Sequence, residues 1–195
     1  MSQYPANNES YKGAPQREKL LTRWGQLQSE RASWWAHWQE ITSYVLPRNG
    51  RYFRQDRDKG YRRHNSIYDN TGTRALRTLG AGMMAGATSP ARQWFRLGTG
   101  DPELNSYAPV KVWLDDVTKR MQLVFQKSNT YRALHTMYEE LGAFGTAVSI
   151  VLPDFNNVIH HYPITTGEYA IATDYQGRVT TLSRQFEQTV SPIVT

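Results

Sequence analysis

Apolar residues recur at three- and four-residue spacing through most of the first 145 positions, and the period shifts to two after that. In the first run Leu20, Trp24, Leu27, Trp34, Trp38, Ile41 and Val45 share one stripe, its single gap filled by Arg31. This predicts a helix over 17–46, about 45 Å long, stopped by Pro47. Leu76, Leu79 and Met83 predict a second helix over 71–87, capped by Thr71 or Thr73 and ended by Ser89-Pro90. Val110, Trp113, Leu114, Val117, Met121, Val124 and Phe125 form the inward stripe of a third over 109–127. Ser106 serves as its cap, Pro109 suits its first turn, and Lys127 complements its dipole. Leu134, Met137, Tyr138 and Leu141 predict a fourth over 131–144, closed by Gly142 and Gly145. Between the second and third helices, 94–97 reads as the start of a strand and 98–106 as a loop.

From residue 146 onward β-branched and aromatic residues predict strands over 146–152, 158–162, 168–173 and 178–186. The turn at 174–177 reads as a hairpin with Gly177 left-handed. Helices first and antiparallel strands second define an α+β chain: long amphipathic helices, then an antiparallel sheet or hairpin region. Residues 1–16 are polar and read as a flexible N-terminal arm; 17–195 reads as one α+β region with no repeat or linker.

Gly80, Gly82 and Gly86 lie inside the second helix, where each glycine costs about 1 kcal/mol against alanine. Close approach of another backbone is the natural compensation. These glycines, with Trp94 and the Trp34-Trp35 pair, are the candidate subunit-packing residues; packing within the chain's own core is the plainer alternative. A dinucleotide loop fits poorly, because no strand precedes Gly80 and the third glycine falls one residue late. The spacing of Gly82 and Gly86 also fits a membrane dimerisation motif. The apolar run between Arg77 and Arg92, however, falls well short of the roughly 20 residues that span a bilayer.

The net charge of +6 has an address. Arg48, Arg51, Arg54, Arg57, Lys59, Arg62 and Arg63 stand against Asp56 and Asp58, seven bases against two acids, so 48–63 carries +5. Tyr52, Phe53 and Tyr61 lie among them. Basic plus aromatic is the composition of surfaces that track a nucleic-acid backbone. It is equally that of a segment pairing with an acidic partner, or of a solvated loop. The six arginines are the candidate polyanion contacts.

Chemistry is sparse. The chain lacks cysteine, which excludes disulfides and thiolate metal sites. Asp115-Asp116 and Glu139-Glu140 are neighbours on helices and diverge by about 100°. His160 and His161 point to opposite faces of a strand. His37, His64 and His135 are scattered, and no hydrolase or phosphate-loop motif is present. No catalytic, cofactor or metal site is expected. The N-terminus has no apolar core of a signal peptide, and no transmembrane segment is expected. Six tryptophans and twelve tyrosines instead point to broad contact surfaces.

Several blocks in fixed order carry a resemblance. They are Tyr44-Val-Leu-Pro-Arg48, Ile67-Tyr-Asp-Asn-Thr-Gly72, the string AGMMAGATSPARQWFRL from Ala81 to Leu97, Val112-Trp-Leu-Asp-Asp-Val117, Ser128-Asn-Thr-Tyr-Arg-Ala-Leu-His135 and Tyr138-Glu-Glu-Leu-Gly-Ala-Phe-Gly-Thr-Ala147. Over about Leu20 to Thr189 the chain resembles the N-terminal part of the head-to-tail connecting, or portal, proteins of short-tailed, T7-like bacteriophages. The resemblance implies a subunit of a dodecameric ring at the portal vertex of the virion, assembled in the host cytoplasm. It implies partners as well: other copies of itself, double-stranded DNA, terminase, capsid or scaffold protein and tail adaptors, but no membrane. This stretch would be the wing. In that family the stem and clip lie beyond Thr195, so this stretch alone is expected to form no DNA-translocating channel. The competing readings are a stand-alone basic DNA-binding module and a phosphodiester hydrolase.

Overall fold

Leu27 is the most deeply buried side chain of a 31-residue helix, α1 (Ala14–Tyr44), that opens the described part of the chain. The computed structural model describes residues 14–47, 67–184 and 186. Those residues divide into two compact units, 14–36 with 169–186, and His37–Glu168. The helix starts three residues earlier than the pattern predicts, so 14–16 belong to it rather than to an arm; 1–13 lie outside the described residues.

In the first unit, α1 supplies Trp24, Leu27, Arg31 and Trp35. The Arg31 guanidinium lies over the rings of Trp35 (4.8 Å) and Trp24 (5.9 Å) and donates to the Tyr169 carbonyl. Burial lowers its pKa. The gap in the apolar stripe is therefore filled by a cation whose stem packs and whose head is stacked and hydrogen-bonded. The stripe itself is incomplete. Leu20 and Trp34 are exposed, and Trp35 takes the sheltered place expected of Trp34. The unit is completed by the antiparallel hairpin of β3 (Tyr169–Thr173) and β4 (Val179–Arg184). At its turn Asp174 accepts from the backbone N–H groups of Gln176 and Arg178, and Gly177 has φ +77°. The left-handed glycine read from the sequence is there.

The second unit is built around α5 (Thr130–Phe144), which touches α2 (Thr71–Ala87), α4 (Ala108–Lys127) and the hairpin of β1 (Val148–Asp154) and β2 (Val158–Ile164). The three helices start within one residue of their predicted positions and end where predicted. Their caps differ. Thr71 and Thr73 do not cap α2. Asp69 Oδ1 accepts from the Thr71 N–H (3.0 Å) and hydroxyl (2.8 Å), and the Thr73 hydroxyl donates to the Val45 carbonyl. Arg92 donates to the Ala85 and Gly86 carbonyls and closes the other end of α2. Gly145, with φ +72°, ends α5 in the left-handed conformation that side-chain-bearing residues avoid.

Two further expectations are corrected here. No strand forms at 94–97. Trp94 packs instead with Phe95 and stacks on Phe125 of α4, and its indole N–H donates to Tyr131 of α5. The Leu97 N–H finds the wholly buried hydroxyl of Thr118, which itself donates to the Leu114 carbonyl. Aromatic burial thus fixes this segment without a strand partner. The supposed loop before α4 contains a short helix, α3 (Pro102–Ser106), where Asp101 accepts from the Glu103 N–H and Pro102 sits in the first turn. Ser106 belongs to it, donating to the Glu103 carbonyl, so it does not cap α4.

The strands form two separate two-stranded sheets, one in each unit, rather than one sheet. Between β1 and β2, Val151 pairs with His161 and Leu152 with His160, which puts the two histidines on opposite faces. Helices followed by antiparallel hairpins make the fold α+β.

Candidate interaction surfaces

The six candidate arginines, Arg48, Arg51, Arg54, Arg57, Arg62 and Arg63, lie outside the described residues. The three glycines of α2 separate sharply. A Cβ on Gly80 would stand 3.1 Å from Glu139 Cγ, so Gly80 provides the close approach between α2 and α5 of the same chain. Gly142 of α5 does the same from the other side, against Leu79 and Leu76. Gly80 thus packs within the chain, and the half-buried Trp94 stacks on Phe125. Among the described residues, nothing lies within 4 Å of a Cβ added at Gly82 or Gly86. Ala81, Ala85, Arg74, Arg77 and Thr78 are exposed as well, so the outer side of α2 is nearly bare backbone with a basic N-terminal half.

The sequence reading missed Asn129, at the turn between α4 and α5. Its side-chain amide donates to the His161 carbonyl (2.7 Å), and its Oδ1 accepts the His161 N–H (2.8 Å). One side chain so mimics a strand edge and fastens β2 to the helices. Desolvation, with the nearby His160, lowers the His161 pKa.

A second missed residue is Glu140, 3 % exposed on α5. Thr166 donates to its carboxylate through both backbone and side chain. Burial pushes its pKa up to about 7; the Thr166 bonds oppose the rise and the negative charge of Glu168 adds to it. Period alone marks a helix face, and nothing in the pattern at Glu139-Glu140 says which of the two is enclosed. Among the described residues no three acidic or histidine side chains converge on a possible metal position. No described helix is long and apolar enough to cross a membrane.

Much apolar surface remains uncovered. Trp34, Trp113, Phe155 and Tyr175 are all more than half exposed.

The family described as bacteriophage head to tail connecting protein matches residues 17–195. The chain belongs to this family. It is similar to the probable portal protein of Bordetella phage BPP-1, 65% identical over 179 residues, which is 92% of this chain and 32% of the relative. The portal protein of Salmonella phage epsilon15 is 44% identical over the same shares. The chain thus spans about a third of the length of the head-to-tail connecting proteins it matches.

Proposed function

We propose that this chain is part of a phage portal subunit, forming the wing of a ring at the head–tail vertex through which double-stranded DNA enters and leaves the capsid. The observation that carries this is the 65% identity, over nearly all of the chain, to a probable portal protein. The role is structural rather than enzymatic. The ring is made of copies of one subunit, and its partners are DNA, terminase, capsid or scaffold protein and the tail adaptors. The bare outer side of α2 at Gly82 and Gly86, and the exposed Trp34 of α1, are surfaces for those protein contacts. The arginines of 48–63 supply contacts to DNA phosphates, for which their forked guanidinium groups are suited.

Antibody raised against the purified chain and carried by gold particles tests this reading on the phage itself. Label is expected at the single junction of head and tail. Label spread over the shell, confined to the distal tail, or absent from particles opened at the junction would refute it.

A further inference from the structure

Among the described residues two side-chain polar atoms are closed off from solvent and bond to nothing, Ser149 Oγ and His161 Nε2. Ser149 is on β1 and His161 on β2, and the register brings them together. Val151 is opposite His161, and Ser149 is opposite Pro163. Side chains two positions apart on a strand share a face. Ser149, Val151, His161 and Pro163 therefore lie on one face of the hairpin. On β2 that face is the sheltered one, since His161 and Pro163 are half-buried while His160 and Tyr162 are exposed. β2 packs on α5 and α4.

Asn129 shows how the strands meet at this point. It holds both the N–H and the C=O of His161, so those groups point away from β1. Val151 and His161 are thus a non-hydrogen-bonded pair, the kind whose Cα atoms stand only about 4.5 Å apart. Ser149 and Pro163, two residues along, are the same kind, and there the proline has no ladder bond to lose. Ser149 and His161 are then diagonal neighbours, with Cα atoms about 7–8 Å apart and side chains somewhat nearer. Their polar atoms do not bond each other. Two hydrogen bonds in series span about 5–6 Å, which suits a diagonal pair of this spacing.

Chemistry narrows what can stand between them. The Ser149 hydroxyl both donates and accepts. Desolvation, with His160, lowers the His161 pKa, so the ring is neutral at neutral pH. One nitrogen of a neutral imidazole donates and the other accepts. A bridging group must answer whichever role Nε2 takes. An anion only accepts, and the neutral ring offers it no charge. Water does both, and two polar partners are the least that hold an internal water.

We propose that Ser149 Oγ and His161 Nε2 form a binding site for one internal water molecule on the sheltered face of the β1–β2 hairpin. His161 is then fastened twice, through its backbone by Asn129 and through its ring by the water. Both fastenings must give way before the hairpin can open.

A crystal structure of the purified chain, at a resolution that shows ordered solvent, tests the site directly. One water is expected within about 3.2 Å of both atoms. A Ser149 hydroxyl bonded to the ring itself, or no water between the two, overturns the proposal. Hydrogen exchange gives an independent reading. Ser149→Ala and His161→Phe each remove one end of the bridge, and both leave the Asn129 bonds, which use the His161 backbone. Exchange of the Ile150 amide, whose residue pairs with Tyr162, is the readout. It is expected to speed up about fivefold in either single variant, the weight of one hydrogen bond. The double variant should be no faster than the singles, because either change releases the same water. Effects that multiply in the double variant, or singles that exchange no faster than the parent, overturn the proposal.

Discussion

Gly142 on α5 and Leu79 on α2 meet so closely that a Cβ at 142 would stand 2.9 Å from Leu79 Cδ2. Leu76 Cδ1 would be 3.1 Å away. A Cβ at Gly82, two positions past the internal contact at Gly80, would meet nothing among the described residues. Opposite outcomes follow for the same substitution. Gly82→Ala is expected to stabilise the chain by about 1 kcal/mol through helix propensity alone. Gly142→Ala gains the same propensity but must displace two leucine methyls, and overpacking costs about 1–3 kcal/mol. The melting temperatures should therefore rank Gly82→Ala above the parent and Gly142→Ala below it. The reverse order would mean that α2 and α5 do not cross at these glycines.

Asn129 satisfies both backbone groups of His161. Asn129→Ala strands a donor and an acceptor, each costing about 1–3 kcal/mol where buried and less where water reaches it. The expected loss in urea unfolding is about 2 kcal/mol, within that range. Hydrogen exchange at the His161 amide should accelerate more than at amides of α2. Equal changes at both would show a general loosening rather than a lost fastening.

Glu140 sets a pH dependence. Its pKa is raised to about 7 from an ordinary 4.5. Between those values the folded chain holds a proton that the unfolded chain has released, so stability falls as pH rises. The contribution is fully present below pH 4.5 and is lost as pH passes through about 7. Its size is at most about 3 kcal/mol at 1.36 kcal/mol per unit. Glu140→Gln keeps an acceptor for Thr166 without the charge. Subtracting its urea midpoints from those of the parent at pH 5 and pH 7.5 isolates the effect. Parallel pH profiles for the two proteins would rule it out.

The basic segment makes a prediction about salt. For binding to duplex DNA, each phosphate contact contributes about 0.9 to the slope of log affinity on log salt. Replacing Arg51, Arg54 and Arg57 by alanine should flatten that slope by about 2 to 3. An unchanged slope would assign these arginines to a protein partner or to solvent.

The positions of α2, α4 and α5 were legible because a 3.6-residue apolar period met sharp punctuation: Pro90 after α2, Pro109 at the start of α4 and Gly145 after α5. Gly177 was legible for the same reason, as a turn that demands positive φ. Period names a face but not what covers it. Hence Trp113 was read as inward and is exposed, while Trp35 rather than Trp34 is sheltered. The run at 94–97 has strand composition, yet Phe125 and Tyr131 capture its ring before any strand partner does. α3 carried a readable signal, an Asp-Pro pair of the kind that opens helices, which a glycine on either side of Thr99 obscured. Asn129 and Glu140 could not be read at all, because their partners lie more than twenty residues away and only the folded chain brings them together.

Arg31 and the Tyr169 carbonyl are 138 positions apart, and the unit they tie together is discontinuous. A ribosome adding about 5–20 residues per second needs roughly 7–28 s to travel between them. For most of that interval Trp24 and Trp35 have been made and β3, which completes their unit, has not.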